Sequence, residues 1–227
     1  MKNKLMTRLL AVVHLILLLS CQQSKIKQPF KTIRDEKMVG KLGAIHIIPL
    51  GKVRKQFIKD VIDGLQSFYH QEIIVESTVL LTADLLAPSK TRYNANEILN
   101  KFNSTKNILI ITEKDISTFK GIKPPEKFYN AQVKGITREW GIFGLGLRPG
   151  NVCVISTFAK RLGKNSTSKL LKERLQKIAI HEVGHNKGLK HCTKNTECLM
   201  HAADGSIKQV DHEKLFFCDN CRKIIGI

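Results

Sequence analysis

A chain of 227 residues, 42% apolar and 25% charged, can bury a sizeable core and is neither disordered nor fibrous in composition. Its 38 Lys+Arg against 19 Asp+Glu give a formal charge of +19. That charge suits a polyanion or an anionic membrane surface, but with 6% aromatic residues and no basic run interleaved with aromatics, no specific nucleic-acid partner is indicated.

Lys2, Lys4 and Arg8 precede an apolar run, Leu9 to Leu19, interrupted only by His14. It is too short to span a bilayer, and residues 1–20 read as a secretory signal peptide. Leu18-Leu19-Ser20-Cys21 looks like a bacterial lipobox, in which a small residue precedes the cysteine that is lipidated and becomes the new N-terminus. The plainer reading is a signal peptide followed by an incidental cysteine. The lipobox implies a diacylglyceryl-type lipid anchor on Cys21 and a lipoprotein of the cell envelope, extracytoplasmic, on either the periplasmic side or the surface. Without the three basic residues of the signal, 35 basic and 19 acidic residues remain, a charge of +16. That basic surface is expected to lie near anionic lipid headgroups. Residues 21–41 form a lipidated cysteine and polar tether, which leaves 42–227 for the folded domain.

Ala44 to Leu50 is an Ile-rich run that predicts a buried first strand. Apolar residues at 53, 57, 58, 61, 62, 65 and 68 have a helical period and predict a helix over Val53–Tyr69. Glu72 to Leu81 reads as a second strand, Ala83 to Thr91 as a loop, and Asn94 to Phe102 as a helix capped by Asn94. Asn107 to Thr112 is apolar on both faces and predicts a central strand. Glu113 to about Arg138, with Pro124-Pro125, reads as a long rim loop. Trp140–Leu147 and Val152–Ser156 flank Arg148-Pro149-Gly150-Asn151, a hairpin signal, so one strand should run against an otherwise parallel sheet. The order implies an α+β fold, α/β-like, with a mixed twisted sheet, one antiparallel edge strand, and helices on one side. Such an edge beside a metal site could take an extended peptide as a further strand.

Ser168 to Leu189 reads as a long helix with Leu171, Leu175 and Ile178 facing the sheet. Its end carries His181-Glu182-Val183-Gly184-His185-Asn186-Lys187-Gly188-Leu189-Lys190-His191. Residues i and i+4 share a helix face, so His181 and His185 can bind one metal ion. Gly188 can break the helix and bring His191 back as a third ligand. Three imidazoles with one open position describe a catalytic zinc site, and Glu182 can reach a zinc-activated water. Solvated histidines on an amphipathic helix would not need these residue types at these offsets.

Cys153 lies alone in a strand and reads as a buried inert thiol. Cys218-Asp219-Asn220-Cys221 is a CxxC knuckle, which with Cys192 and Cys198 makes a four-cysteine set that suits a structural zinc. Two disulfides are the alternative that an extracytoplasmic compartment permits. The zinc reading requires two Zn2+ per chain, one catalytic and one structural, the second holding His191 in place.

These residues resemble the archaemetzincins, zinc metallopeptidases of the metzincin clan, whose pattern is HExxHxxGxxHC, then CxM, then CxxC. His181, Glu182, His185, Gly188, His191 and Cys192 match, as do Cys198-Leu199-Met200 and, separated from Met200 by seventeen residues, the Cys218–Cys221 pair. Pro49-Leu50-Gly51, Arg92-Tyr93-Asn94-Ala95, Thr112 with Asp115, and Phe143-Gly144 also look like family segments. One departure is the five residues between Cys192 and Cys198, where the family usually has four. The resemblance implies a metzincin-type fold with Met200 forming a Met-turn beneath the zinc and a zinc-stapled C-terminal segment. There is no tyrosine two residues after Met200, where some metzincins carry a further ligand.

The expected function is zinc-dependent peptide-bond hydrolysis with Glu182 as general base and acid, acting as a monomer on peptide or protein substrates. The alternative is a zinc-stabilised lipoprotein that binds peptides or polyanions with little or no peptidase activity.

Overall fold

The computed structural model describes residues 43–121 and 137–226. The expected signal peptide, Cys21 and the tether lie outside the described residues, as does the middle of the expected rim loop. Among the described residues no helix is long and apolar enough to cross a membrane.

Five strands form the main sheet: β1 (Ile45–Pro49), β2 (Ile73–Val75), β4 (Asn107–Thr112), β7 (Gly144–Gly146) and β8 (Val152–Ser156), in the order β2-β1-β4-β8-β7. All neighbours pair in parallel except β7, which pairs antiparallel with β8 and forms one edge. The central position expected for Asn107–Thr112 is observed, with Ile108 to Thr112 buried. Period-2 alternation divides the apolar residues between two faces. Ile45, Ile47, Leu109, Ile111, Cys153 and Ile155 join one core, and Ile108, Ile110, Val152 and Val154 join another.

Helix α1 (Lys55–Tyr69) and the long α4 (Ser168–Asn186) pack on the first face. Helix α2 (Ala95–Lys101), capped as expected by Asn94 Oδ1 accepting from the Asn96 N–H at 3.0 Å, packs on the other. Helices therefore cover both faces, which corrects the expectation of one side. Crossover handedness gives the reason. The chain moves from β1 outward to β2 through α1, then reverses past β1 to β4 through α2. Right-handed crossovers in opposite directions place their helices on opposite faces.

Three other expectations change. The strand expected over Glu72–Leu81 is only β2 and an isolated bridge, Val79 to Leu50. The Glu76 N–H donates to Ile47 O and the Val79 N–H to Pro49 O, so three steps on one strand oppose two on the other, a bulge that ends the ladder. The expected loop after Glu113 contains β5 (Ile116–Gly121). The stretch Trp140–Leu147 divides at the buried Phe143: β6 (Thr137–Ile142) pairs antiparallel with β5, and only β7 joins the hairpin. With β3 (Tyr93–Asn94), β5 and β6 form a second, three-stranded sheet.

Helix α4 begins at Thr167, whose Oγ1 accepts from the Leu170 N–H at 3.3 Å. Leu175 and Ile178 are buried as expected, while Leu171 is half-buried. Beyond the short α3 (Ala159–Leu162), the C-terminal segment carries α5 (Ile207–His212) and α6 (Asp219–Ile225). It returns to the first core through Val210, Phe217, Cys221 and Ile225, and Phe217 meets Phe68 edge-on at 4.8 Å between centroids.

Tyr69 fixes α4 just before the histidines: its buried hydroxyl donates to the Ile180 carbonyl at 2.8 Å. Tyr69→Phe should cost about 1 kcal/mol in denaturant unfolding, the usual net value of one hydrogen bond. An unchanged midpoint would show that the hydroxyl contributes nothing to holding the helix.

Candidate metal centre and active-site cleft

The helix places His181 and His185 on one face, and the chain break after it returns His191 to them. Gly188 has φ +95, and no Cβ clash would arise there, so the left-handed backbone itself is what favours glycine. The Leu189 N–H donates to Gly184 O at 3.0 Å and closes the turn. The ligand nitrogens of His181, His185 and His191 all lie within 4.8 Å of one another, with 3.2 Å between the Nε2 atoms of His185 and His191. A tetrahedral zinc with bonds near 2.1 Å spaces its nitrogens at about 3.4 Å, so the trio fits such an ion.

Two of the rings have a fixed tautomer. His181 Nδ1 lies 2.7 Å from Leu199 O and His185 Nδ1 lies 2.8 Å from Leu189 O. A carbonyl can only accept, so each Nδ1 carries the proton and each Nε2 keeps its lone pair. Burial, with the neighbouring histidine, holds His181 down at about 3, and burial holds His185 at about 4. Both rings are neutral at ordinary pH, which is the ligating form.

Beneath the rings, Cys198 to His201 forms a tight turn closed by the His201 N–H donating to Cys198 O at 2.8 Å. Met200 is fully buried, and a Cβ on Gly184 would stand 2.6 Å from its Sδ. Glycine within the histidine motif is what lets the methionine sit under the helix. Met200 O also accepts from the Cys192 N–H at 2.7 Å, next to His191.

Glu182 faces the edge strand. A Cβ on Gly144 would stand 2.6 Å from Glu182 Oε1, and one on Gly146 would stand 2.6 Å from the Glu182 carbonyl oxygen. The two glycines let β7 lie directly on α4. Burial raises the Glu182 carboxyl to about 8, opposed by a hydrogen bond from the Gly146 backbone. A divalent cation alongside would draw it back toward the ionised form. Glu182 and the three histidines line one cleft of about 430 Å³ that runs beside β7.

Cys192, Cys198, Cys218 and Cys221 form the second cluster, their sulfurs all within 4.8 Å. Cys192 and Cys218 are 3.6 Å apart, and Cys198 and Cys221 are 3.8 Å apart. Zn–S bonds near 2.3 Å space tetrahedral thiolates at about 3.8 Å, whereas a disulfide would need about 2.05 Å. Burial raises the Cys198 and Cys221 thiols, an effect that a bound cation reverses. The extra residue between Cys192 and Cys198 is taken up in an exposed loop and does not separate the sulfurs.

The metal-fitting helix, the open edge strand and the cleft between them place the chain among the zinc metallopeptidases. Residues 42–226 match Peptidase family M54, and the chain belongs to that family. It is similar to the archaemetzincin of Archaeoglobus fulgidus, 30% identical over 177 residues that cover 78% of this chain and 95% of the relative. The archaemetzincin of Haloarcula marismortui is 27% identical over 188 residues, 79% of this chain and 97% of the relative. The crystal structure of the A. fulgidus protein complexed with malonate matches with a TM-score of 0.63 at 28% identity, covering 80% of this chain and 99% of that one. The Methanopyrus kandleri archaemetzincin shares the fold at 20% identity, with a TM-score of 0.61 and 81% and 94% coverage.

The sequence-based site residues from His181 to Cys221 are therefore brought together in two adjoining clusters. The sequence gives no packing role to Gly144, Gly146 or Gly184, because a glycine kept for close approach looks in sequence like any other; the GxG spacing on an edge strand is a sign of it for the first two. Gly146→Ala should push β7 off the helix and cost about 1–3 kcal/mol, the usual range for overpacking. Gly43→Ala, with nothing within 4 Å of its Cβ, is the control. Equal unfolding midpoints for the two variants would mean that β7 does not press on α4.

Proposed function

We propose that the chain hydrolyses peptide bonds with zinc held by His181, His185 and His191 and with Glu182 moving the proton. The observation that carries this reading is the placement of Glu182: a buried carboxyl between the histidine helix and the open edge of β7, on the wall of the same cleft. When bound, zinc supplies a Lewis acid that polarises the scissile carbonyl and brings a water toward neutral pKa. The protein residues do the rest. The Leu199 and Leu189 carbonyls orient the His181 and His185 rings. β7, which among the described residues pairs only with β8, offers the backbone of its outer side to an extended substrate. A carboxylate oxygen of Glu182 takes the proton of the attacking water and gives it to the leaving amine nitrogen. Cys192, Cys198, Cys218 and Cys221 hold a second zinc, which ties the C-terminal segment to the end of the helix.

Glu182→Ala should keep its zinc and lose at least about a hundredfold in kcat against a peptide library, the usual scale of general-base catalysis. Full activity in that variant would remove Glu182 from the mechanism. Metal analysis should give two zinc ions per wild-type chain and fewer in Cys221→Ser. An intact library at high enzyme concentration would favour a binding protein instead.

The Leu18-Leu19-Ser20-Cys21 order supports lipidation and an extracytoplasmic, membrane-anchored location for the folded domain. Wild-type protein expressed in a bacterium should partition into detergent, and Cys21→Ser should leave the membrane fraction. Equal partitioning of the two would argue against the anchor.

A further inference from the structure

The cleft differs chemically at its two ends. β7 runs from Gly144, which stands over the Glu182 side chain, to Gly146, which stands over the Glu182 carbonyl and His185. Past Gly146 the wall carries Arg148, whose charge bears on His185. At the other end, one helical turn before His181, the wall carries Lys177 and Ile178 of α4, with Val210, Glu213 and Asp204 from the segment after the Met200 turn. A substrate strand that pairs antiparallel with β7 would run toward this second end and place there the side chain of the residue that follows the scissile bond.

Glu213 is the unusual group at this end. Its residue is 4% exposed, yet it lines the cavity. Its side chain takes one hydrogen bond, from Gln209 Nε2 at 3.5 Å, the outer limit for such a bond. Burial pushes its carboxyl up to about 7, against the Gln209 bond and the charge of Lys177. Lys177 does not neutralise it as a dedicated partner. The Lys177 ammonium donates to Val210 O at 3.1 Å and Asp211 O at 3.5 Å, and pairs with Glu173 Oε1 at 2.7 Å. The Asp211 carboxylate is taken by Arg174, with both contacts at 2.6 Å. Glu213 thus lines this end of the cleft with no ion pair of its own to Lys177, whose ammonium is taken by Glu173. A buried carboxyl on a cavity floor, with one marginal bond, is stabilised by a cation that enters the cavity.

We propose that Glu213 sets substrate specificity at this end of the cleft, receiving the ammonium or guanidinium group of a lysine or arginine that immediately follows the scissile bond. This rests on the peptidase reading above and adds the substrate class to it. Glu213 selects the substrate without touching the reacting atoms. The incoming side chain lies along Ile178 and Val210 with its methylenes and places its charge on Glu213.

The test uses the zinc-loaded protein and quenched peptides that differ only after the cut site, carrying Lys, Arg, norleucine or Glu. Norleucine matches the length of lysine without its charge. The expected kcat/KM for Lys or Arg exceeds that for norleucine at least about tenfold, and in Glu213→Gln the ratio falls to about one. A flat wild-type profile, a preference for Glu, or an unchanged ratio in Glu213→Gln would overturn the proposal. Should the variant fail to fold, the wild-type profile decides alone. The same peptides, titrated calorimetrically into zinc-loaded Glu182→Ala, should show Lys bound about tenfold tighter than norleucine. Cleavage without a cation preference rejects this subsite and leaves the peptidase reading intact. A binding preference for Lys with no cleavage by the wild type does the reverse.

Discussion

The turn from Cys198 to His201 sets the rest of the site. It touches both ligand clusters and the core beneath them. Leu199 O fixes the His181 ring, Met200 fills the space that a side chain at residue 184 would occupy, and Met200 O holds Cys192 beside His191. Cys198 itself belongs to the thiol cluster. A displacement of this turn would reach the rings, the helix contact and the thiols together, because each is held by a different atom of the same tight loop. The buried state of Met200 and Leu199 ties that position to the packing of the core as a whole. The thiol cluster stands just beyond, so the zinc proposed there would act on the histidines through this turn, at the distance of one hydrogen bond.

The second constraint is the close approach of β7 to α4. A strand can lie this near a helix only where side chains are absent, and Gly144 and Gly146 provide the space. The approach buries Glu182 and raises its pKa, and among the described residues no further strand pairs with β7 on the side away from β8. Burial of the general-base candidate and the position of β7 at the sheet edge therefore have one cause. The second sheet extends the same wall, since β6 continues into β7 through Phe143 and brings Trp140 and Ile142 to the cleft.

The main helices and the centre of the sheet were legible because their signals are periodic. The seven apolar positions of Val53–Phe68 repeat as a helix surface must, and Asn107–Thr112 is apolar on both faces because both faces are covered. β5 was not legible. Ser117, Thr118 and Lys120 interrupt its pattern, and only its pairing with β6 makes the segment a strand. The division of Trp140–Leu147 was hidden for the same reason: the residues suit a strand throughout, and two different partner strands decide where it breaks. The side of the sheet that α2 covers follows from strand order, which no local pattern records.

The histidine and cysteine sets were determined by the sequence itself, since ligand chemistry demands rare residue types at spacings that a helix turn or a knuckle can use. Offsets of four residues from His181 to His185 and six more from His185 to His191 already specify one helix face and one chain reversal. The sequence could not determine what surrounds them. That Gly184 leaves room for Met200, that Gly146 leaves room for the helix backbone, and that Glu213 lines the cleft from a segment 31 residues beyond Glu182 are long-range contacts. Local propensity holds no information about such contacts. They arise only when the core closes and brings distant atoms within van der Waals distance.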